Sequence, residues 1–446
     1  MTGQLGVVSG TAIDAVIARR LQEGDIGGDV RRALAAFPVP EIAQRVEAKY
    51  FRPEGRHGDP FIPIPKLSLR PSKDALELWV CSNFVEVWLA KEGHDGLIGV
   101  NFLEKIQMAT PSAAYGAMLA GVDYVLMGAG IPAEIPNLLN LLSENKPASL
   151  NVHVDGGTEP YKEIFYPKTF TGIAVPPPRR PKFLAIVSAH VLATYLAKDL
   201  LTRPDGFIVE GFTAGGHNAP PRGTMILDDT GQPIFGPRDI ADVAKVAMVG
   251  LPFWLAGGQA TPEQVRIALE VGAAGVQVGT IFSLAEESGL EPSLRQQLMD
   301  NLASGDLVVR TDPLASPTGF PFKVATLPDT LSDKEVYEAR PRLCDLGYLR
   351  VPYERSPGVV GYRCPSEPSH VYIRKGGDEA QLVDRKCLCN ALMSNIGLGQ
   401  TRPDGYVEPP LITLGADLGG ARELLKTHPG GWSAAEAVDY LLNVGA

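Results

Sequence analysis

The stretch G-F-I-V-E-G-F-T-A-G-G-H-N-A-P-P-R-G, at residues 206–223, decides the fold. Residues 207–209 form a β-branched and aromatic run that predicts a buried strand, and a turn with Gly215, Gly216 and His217 follows it. Paired glycines let a backbone approach a ligand closely and expose N–H groups to an anion, while imidazole titrates near neutral pH. The stretch therefore predicts a strand that ends in a ligand cradle beside a candidate base. A glycine-rich turn with an incidental surface histidine is the alternative.

A second glycine pair favours the ligand cradle over the incidental turn. The apolar run at residues 252–256 opens into Gly257 and Gly258, and a helix capped by Thr261 is predicted after it. The next short strand ends in the sequence Gln277-Val278-Gly279-Thr280. Strand, helix and strand in this order form a βαβ unit, which places both turns on the carboxyl-terminal edge of a parallel sheet. Neighbouring turns of this kind can hold one phosphate from two sides.

The motifs A-G-G-H, L-A-G-G and G-V-Q-V-G-T, in this order and spacing, resemble those of the nitronate monooxygenase family, formerly called 2-nitropropane dioxygenases. The resemblance extends upstream through Gly99-Val100-Asn101-Phe102 and downstream to about Phe322. It implies a TIM-type (β/α)8 barrel whose later βα loops hold the phosphate of FMN. Asn101 either contacts the flavin, as the resemblance implies, or caps a loop. The other expected FMN contacts are Gly215, Gly216, Gly257, Gly258, Gln277, Gly279 and Thr280.

The same resemblance implies the chemistry. The family assigns the histidine that matches His217 to proton abstraction in nitroalkane oxidation, and the flavin then carries the electrons to oxygen. An alkyl nitronate or a similar acidic carbon compound is therefore the expected substrate. FMN-dependent enoyl-ACP reductases use the same flavin barrel, so an NAD(P)H-dependent enoyl-thioester reductase is the first alternative. A non-catalytic accessory subunit of a biosynthetic complex is the second. The A-G-G-H motif does not separate these functions, and the oligomeric state stays open.

The count of strand and helix units favours a barrel over an open sheet. Eight apolar strands are predicted from residue 5 onward, one of which is a candidate hairpin or edge strand, and most read as continuous apolar runs. A Rossmann-like sheet is the alternative, but the G-x-G-x-x-G fingerprint does not follow an early strand. Residues 22–72 mix charges, prolines and glycines, so they are predicted to be an irregular insertion. The predicted FMN-binding barrel covers residues 1–325, and residues 326–446 form a cysteine-containing extension.

The resemblance also leads to an expectation about the N-terminal strand of the barrel. The sequence L-G-V-V at residues 5–8 matches the second strand of the family, whose first strand carries a glycine-rich loop that touches the flavin. The barrel is therefore expected to lack its first strand. A barrel without one strand has two unpaired edges, so we expect weaker FMN binding and lower solubility than in a form extended upstream by about 20 to 30 residues. If the eight predicted strands close the barrel, the two forms are expected to behave alike.

Four of the five cysteines lie in the predicted extension, at Cys344, Cys364, Cys387 and Cys389. Four thiols in one segment favour a metal site over disulfides when no secretory signal is evident. Tetrahedral zinc is the first expectation because it takes four soft ligands and has no redox role. An iron–sulfur cluster and four unconnected thiols are the alternatives. The spacing C-x19-C-x22-C-x-C is not the usual paired knuckle.

The composition of the chain disfavours some classes of binding partner. The 446 residues carry a net charge of −10, which disfavours nucleic acid and anionic membrane surfaces because both select a basic face. Apolar residues make up 45% of the chain, enough for a packed core, and no apolar run approaches about 18 residues. These features predict a cytoplasmic enzyme that acts on a small molecule.

Overall fold

The computed structural model describes residues 3–157 and 160–443. Its strands are β1 Leu5–Ser9, β2 Leu97–Leu103, β3 Tyr124–Gly128, β4 Ala148–Val152, β5 Tyr161–Phe165, β6 Lys182–Val187, β7 Gly206–Glu210, β8 Phe253–Ala256, β9 Gly275–Gln277, β10 Val309–Asp312, β11 Phe322–Ala325, β12 Val351–Ser356 and β13 Val359–Arg363.

In the first three quarters of the chain, most strands are followed by one or more helices. They are α1 Ile13–Gln22, α2 Asp29–Ala35, α3 Pro40–Tyr50, α4 Lys73–Ala90, α5 Thr110–Leu119, α6 Ile135–Leu142, α7 Pro167–Thr171, α8 His190–Ala197, α9 Val243–Ala247, α10 Pro262–Glu270, α11 Thr280–Ser283, α12 Pro292–Ser304, α13 Lys334–Ala339, α14 Ser369–Arg374, α15 Leu388–Ser394, α16 Gly419–Thr427 and α17 Ala434–Leu442. Within the described ranges, none of these helices has the length and apolar character needed to cross a bilayer.

One seven-stranded sheet organises the molecule, in the order β1-β2-β3-β6-β7-β8-β9. Every neighbouring pair in it is parallel, from β1 with β2 to β8 with β9. The prediction of a parallel α/β barrel-type fold is confirmed. In the part of the chain that the structure describes, no pairing joins β1 to β9, so the sheet has two free edges. All seven carboxyl ends meet at one side, which positions the loops that follow the strands.

One of the eight predicted strands, β4, is not part of the seven-stranded sheet. Strand β4 pairs antiparallel with β5 in a separate two-stranded ribbon, with Ala148 opposite Phe165 and Val152 opposite Tyr161. The candidate hairpin among the eight predicted strands is therefore β4. Its alternate residues are buried and its intervening residues are more exposed, which is the pattern of a strand with one solvated face.

The predicted irregular insertion at residues 22–72 is partly helical, which corrects the prediction. It contains α2 and α3, and both pack against α4. Val30 and Leu34 of α2 and Ile42 and Val46 of α3 are buried, because three- and four-residue spacing puts each pair on one helix face. The prolines and glycines around these helices hid that spacing in the sequence.

The hydrophobic core crosses residue 325. The main cluster joins strand residues such as Val100 and Phe207 to Tyr348 and Leu388 of the later part. A second cluster joins Ile281 of α11 to residues of α16 and α17. The C-terminal third therefore packs directly on the sheet and its helices, while the division into two domains at residue 325 stays a prediction.

The ribbon β4–β5 buries an unpaired carboxyl group that makes stability depend on pH. Glu163 is 3% exposed, its Oε2 has no hydrogen-bond partner, and burial raises its pKa from 4.5 to about 8. Since the folded protein holds this proton more tightly than the unfolded chain, the free energy of unfolding falls as the pH rises from about 4.5 to about 8. Glu163→Gln should reduce that fall by roughly 1–3 kcal/mol in urea unfolding at pH 5 and pH 8. Equal pH dependence in both proteins would contradict this assignment.

Candidate functional site

The three predicted glycine turns follow adjacent strands. The turn with Gly215 and Gly216 follows β7, the turn with Gly257 and Gly258 follows β8, and Gly279 follows β9. Because the three strands are parallel neighbours, the turns meet at the same edge of the sheet. The structure therefore brings these predicted site residues together. We call this place the glycine cradle.

Backbone geometry at the middle turn requires glycine. Gly257 has φ +84° and Gly258 has φ +70°, values that side chains disfavour. A Cβ at Gly257 would lie 3.0 Å from the carbonyl oxygen of Gly211 and 3.0 Å from Thr213 Oγ1. The turn after β8 therefore packs directly against the turn after β7, and a side chain here would separate them.

The cradle presents unpaired polar groups. Within the described residues, the backbone N–H groups of Gly258 and Gly279 donate to no protein acceptor. A Cβ at Gly216 or Gly279 would meet no atom within 4 Å, so space lies open beside both. At the end of β9, Gln277 Oε1 is buried without a hydrogen-bond partner. Unpaired donors beside open space fit an anion, and the buried amide oxygen fits a donor on the same ligand.

A segment from the C-terminal third lies across the cradle, and sequence reasoning missed it. Residues 413–417 form this tail segment. The backbone N of Gly216 donates to Thr413 Oγ1 at 2.8 Å. On the other side, the backbone N of Gly415 donates to Thr280 Oγ1 at 2.9 Å. The tail segment therefore joins the turns that follow β7 and β9, and it forms one wall of the cradle.

Asp417 brings a carboxylate to this wall. A Cβ at Gly258 would lie 3.0 Å from Asp417 Oδ2, and the same side chain accepts a hydrogen bond from the backbone N of Gly419 at 2.9 Å. The helix α16 then begins beside the loop that follows Gly258. The only sequence signal for this contact was the glycine-rich turn at residues 415–420.

Asn101 lies at some distance from the cradle along the sheet. It is half-buried in β2, two positions before the strand ends, and its register partners are Ser9 and Leu126. Strands β3 and β6 separate β2 from β7. A flavin contact of Asn101 stays a prediction.

His217 is half-buried, and its side chain contacts Ser316 and Phe322. Its Nε2 lies 2.7 Å from Ser316 Oγ. The centroid of its ring lies 4.8 Å from that of the Phe322 ring, in a T-shaped arrangement. Within the described residues, Nδ1 has no hydrogen-bond partner. Burial lowers the pKa of His217 to about 4, and the charge of Lys105 contributes to that fall. At neutral pH the imidazole is therefore uncharged, with one ring nitrogen free for a ligand.

The loop at residues 316–322 supports His217 directly. Ser316 is buried and its Oγ also lies 2.8 Å from Thr318 Oγ1. The backbone N of Asn218 donates to the carbonyl oxygen of Pro321 at 2.9 Å. These contacts fix the histidine and give the loop a structural role.

A cleft adjoins the cradle at the ends of β6 and β7. It encloses about 320 Å³ of space open to solvent, and we call it the β7 cleft. Its polar lining comes from Ser188, Glu210, Asn218, Arg222 and Asp239. Phe212 and Phe235, stacked at 4.7 Å, form its apolar side. Gly211 also lines the cleft and touches the turn after β8, so cleft and cradle are continuous.

The Glu210 carboxylate and the Lys323 ammonium influence each other's charge state. Glu210 is the last residue of β7 and is half-buried, while Lys323 of β11 is 2% exposed. Burial raises the pKa of Glu210 to about 7, and the Lys323 ammonium opposes part of that rise. Burial lowers the pKa of Lys323 to about 8, and Glu210 offsets part of that fall. Lys323 Nζ donates to Thr311 Oγ1.

The predicted zinc site is not supported. All five cysteines are free thiols, and the described residues contain no group of three His, Cys, Asp or Glu side chains arranged to hold a metal ion. Burial raises the pKa of Cys364 and Cys387 well above its ordinary value and that of Cys389 to about 11. The thiols of the metal-free protein are therefore protonated at neutral pH. Cys364 and Cys387 are buried and Cys344 and Cys389 are half-buried. The spacing of cysteines along a chain fixes neither the distances between their side chains nor their directions, so it could not establish a metal site.

One region of the chain matches a known protein family. Residues 181–312 match the family described as nitronate monooxygenase, and this range contains β6 to β10 with all three glycine turns. A curated nitronate monooxygenase from Pseudomonas aeruginosa is 29% identical over 200 residues, which are 43% of this chain and 49% of that protein. The chain therefore spans about half the length of the curated relative it matches.

Solved structures with a similar arrangement include FabK from Thermotoga maritima, with a TM-score of 0.44 and 16% identity over 84% of this chain and 81% of that one. A nitroalkane oxidase from Streptomyces ansochromogenes has a TM-score of 0.42 and 15% identity over 82% and 84% of the two chains. The enoyl reductase domain of MlnA from Bacillus amyloliquefaciens has a TM-score of 0.46 and 11% identity over 84% and 86%.

Proposed function

We propose that this chain, whose residues 181–312 match the nitronate monooxygenase family, is an FMN-dependent oxidoreductase that oxidises alkyl nitronates with oxygen. The glycine cradle carries this proposal. Its unpaired N–H groups, the open space beside Gly279 and the unpartnered Gln277 Oε1 fit a phosphorylated ring compound. The exposed Asp417 carboxylate on the wall faces the same space, so the phosphate is expected to lie toward Gly279 rather than toward Gly258.

Each part of the site has a task in this proposal. The backbone N–H group of Gly279 would hold the phosphate, Gly258 would line the site beside it, and Gln277 would accept a hydrogen bond from the ring. A bound flavin supplies the acceptor for an electron pair and passes the electrons to oxygen. His217 would present its free Nδ1 to the reacting atoms as a neutral imidazole, which is able to accept a proton or a hydrogen bond. Ser316 and Phe322 fix the ring in that orientation.

The experiment is a pair of assays on one purified preparation. We expect a yellow protein with a flavin spectrum that consumes oxygen when given an alkyl nitronate and needs no NADPH. NADPH consumption driven by an enoyl thioester would instead favour the reductase, and the site residues would keep their places. A colourless protein that regains no activity with added FMN would contradict the proposal and favour the accessory subunit.

A further inference from the structure

A second cavity lies beside the carboxyl ends of β1 and β2, whereas the glycine cradle follows β7, β8 and β9. It contains about 330 Å³ of space continuous with solvent. Its walls come from residues 10–12 after β1, from β2, α1, α4 and α5, and from Tyr348 of the C-terminal third. We call it the β1 cavity. None of its lining residues lies within the range 181–312 that matches a known family.

The β1 cavity contains one carboxyl group that the fold leaves without a cation. Asp14, in the first turn of α1, is 5% exposed, and its Oδ1 accepts a hydrogen bond from the Tyr348 hydroxyl at 2.7 Å. Within the described residues, its Oδ2 has no hydrogen-bond partner and the side chain forms no ion pair. The lining residues include no Lys, Arg or His. One oxygen of this carboxyl group is therefore available to a ligand.

The charge state of Asp14 favours a positively charged ligand. Burial raises the pKa of Asp14 to about 6, and the hydrogen bond from Tyr348 opposes part of that rise. The group is therefore mostly ionised above neutral pH. A buried carboxylate without a cation costs free energy, and a bound cation would recover part of that cost.

Asn83 of α4 adds a second acceptor to the cavity. It is 3% exposed, and its Nδ2 donates to the carbonyl oxygen of Trp79, four residues earlier, at 3.0 Å. Its Oδ1 has no hydrogen-bond partner within the described residues. Asp14 Oδ2 and Asn83 Oδ1 are thus two buried acceptors on the lining of one cavity, and both lack an N–H or O–H donor.

The remaining walls are aromatic and aliphatic. The rings of Trp79, Phe102 and Tyr348 line the cavity, and each of these residues is at most 5% exposed. Leu103 and Ile106 add aliphatic surface. Aromatic rings attract cations, and aliphatic walls favour an alkyl chain over the water shell of an inorganic ion. The lining therefore fits an organic cation that carries N–H donors.

We infer that the β1 cavity binds a primary alkylammonium ion, whose N–H groups donate to Asp14 Oδ2 and Asn83 Oδ1 and whose alkyl chain packs against the aromatic walls. Because Asp14 lies on α1, Asn83 on α4 and Tyr348 in the C-terminal third, a ligand here holds three separate parts of the chain together. The site is separate from the glycine cradle, so the inference does not depend on the proposed function.

The test measures binding without turnover. The full chain is titrated with butylammonium chloride in a calorimeter, and sodium chloride keeps the ionic strength constant. We expect saturable binding of one ion per chain in the millimolar range, as suits a ligand with few heavy atoms, and a higher Tm in its presence. Asp14→Asn should weaken binding by about 10–150-fold, because it removes the charge of the acceptor. The amide oxygen of the variant can still accept from Tyr348.

Three further variants keep the result interpretable. Asp29→Asn changes the first-turn aspartate of α2, whose side chain is 58% exposed, and should keep the wild-type affinity. Asn83→Ala removes the second acceptor and should also weaken binding, and it replaces Asp14→Asn if circular dichroism shows that the latter does not fold. Trp79→Phe keeps an aromatic wall, but it should abolish the change in tryptophan fluorescence that the ligand causes.

Four results would overturn the inference. The first is equal affinity in folded Asp14→Asn and the wild-type protein, which would place the ion elsewhere. The second is equally tight binding of butan-1-ol, which would show that the cavity does not select a charge. The third is displacement of butylammonium by potassium chloride at equal concentration, which would assign the site to an inorganic ion. The fourth is the absence of binding to the wild-type protein, which would leave the cavity to water alone.

Discussion

Replacing His217 with alanine should leave flavin bound but lower the turnover of an alkyl nitronate by about 10²–10⁴-fold. The physical reason is that Ser316 and Phe322 hold the imidazole in one orientation with Nδ1 free, and a positioned proton acceptor or hydrogen-bond partner contributes that much. The measurement is steady-state oxygen consumption, with flavin absorbance measured on the same samples.

His153→Ala is the matched control for this prediction. The His153 side chain is 80% exposed and its Nε2 lies 3.1 Å from Asp155 Oδ1, so its loss should change turnover little. If His217→Ala turns over the nitronate at the wild-type rate at neutral pH, His217 has no part in the reaction.

Gly258→Val should release flavin while leaving the sheet folded. A side chain at φ +70° costs of order 1–3 kcal/mol, and the new Cβ would press on Asp417 Oδ2 at 3.0 Å and Thr213 Oγ1 at 3.4 Å. The turn must therefore move away from the ligand, and that energy corresponds to about 5–150-fold weaker binding. Flavin content after gel filtration and titration of the apoprotein with FMN measure the effect.

A second glycine separates backbone strain from loss of the cradle. Gly272 also has a positive φ, +86°, but a Cβ there would meet nothing within 4 Å. Gly272→Val should lower the free energy of unfolding and keep the flavin. Stoichiometric FMN in Gly258→Val would remove the turn after β8 from the cofactor site.

The sheet was predictable because its strands are buried on both faces. Strand β7 has four buried residues in succession, and such runs followed by glycine turns identify parallel strands in a sequence. The assignment of β4 to the barrel was wrong, and its sequence A-S-L-N-V carried a signal against it. Apolar and polar residues alternate there, and in the structure buried and more exposed residues alternate, as in a ribbon with one solvated face. Residues 22–72 were misjudged because glycine and proline outside α2 and α3 outweighed the apolar spacing within them.

The sequence predicted the glycine turns of the site but not the wall that the tail segment adds to them. Glycine pairs after strands mark the cradle because few other residues adopt that backbone. The contact of Thr413 with Gly216 has no sequence signal, since hydrogen bonds across about 200 residues leave no periodicity in either segment. Glu210 lay within the quoted motif, yet the charge that acts on it belongs to Lys323, which lies far away in the sequence and is brought near by the fold.

The tail segment also sets the order in which the site is assembled during synthesis. Gly415 follows Thr280 by 135 residues, yet their hydrogen bond closes one wall of the glycine cradle. A ribosome delivers the N-terminal part first, so the three glycine turns leave it well before this wall exists. Until residue 417 has left the ribosome, the three glycine turns lack this wall. A ligand that needs the complete cradle is therefore expected to bind only after nearly the whole chain has been synthesised.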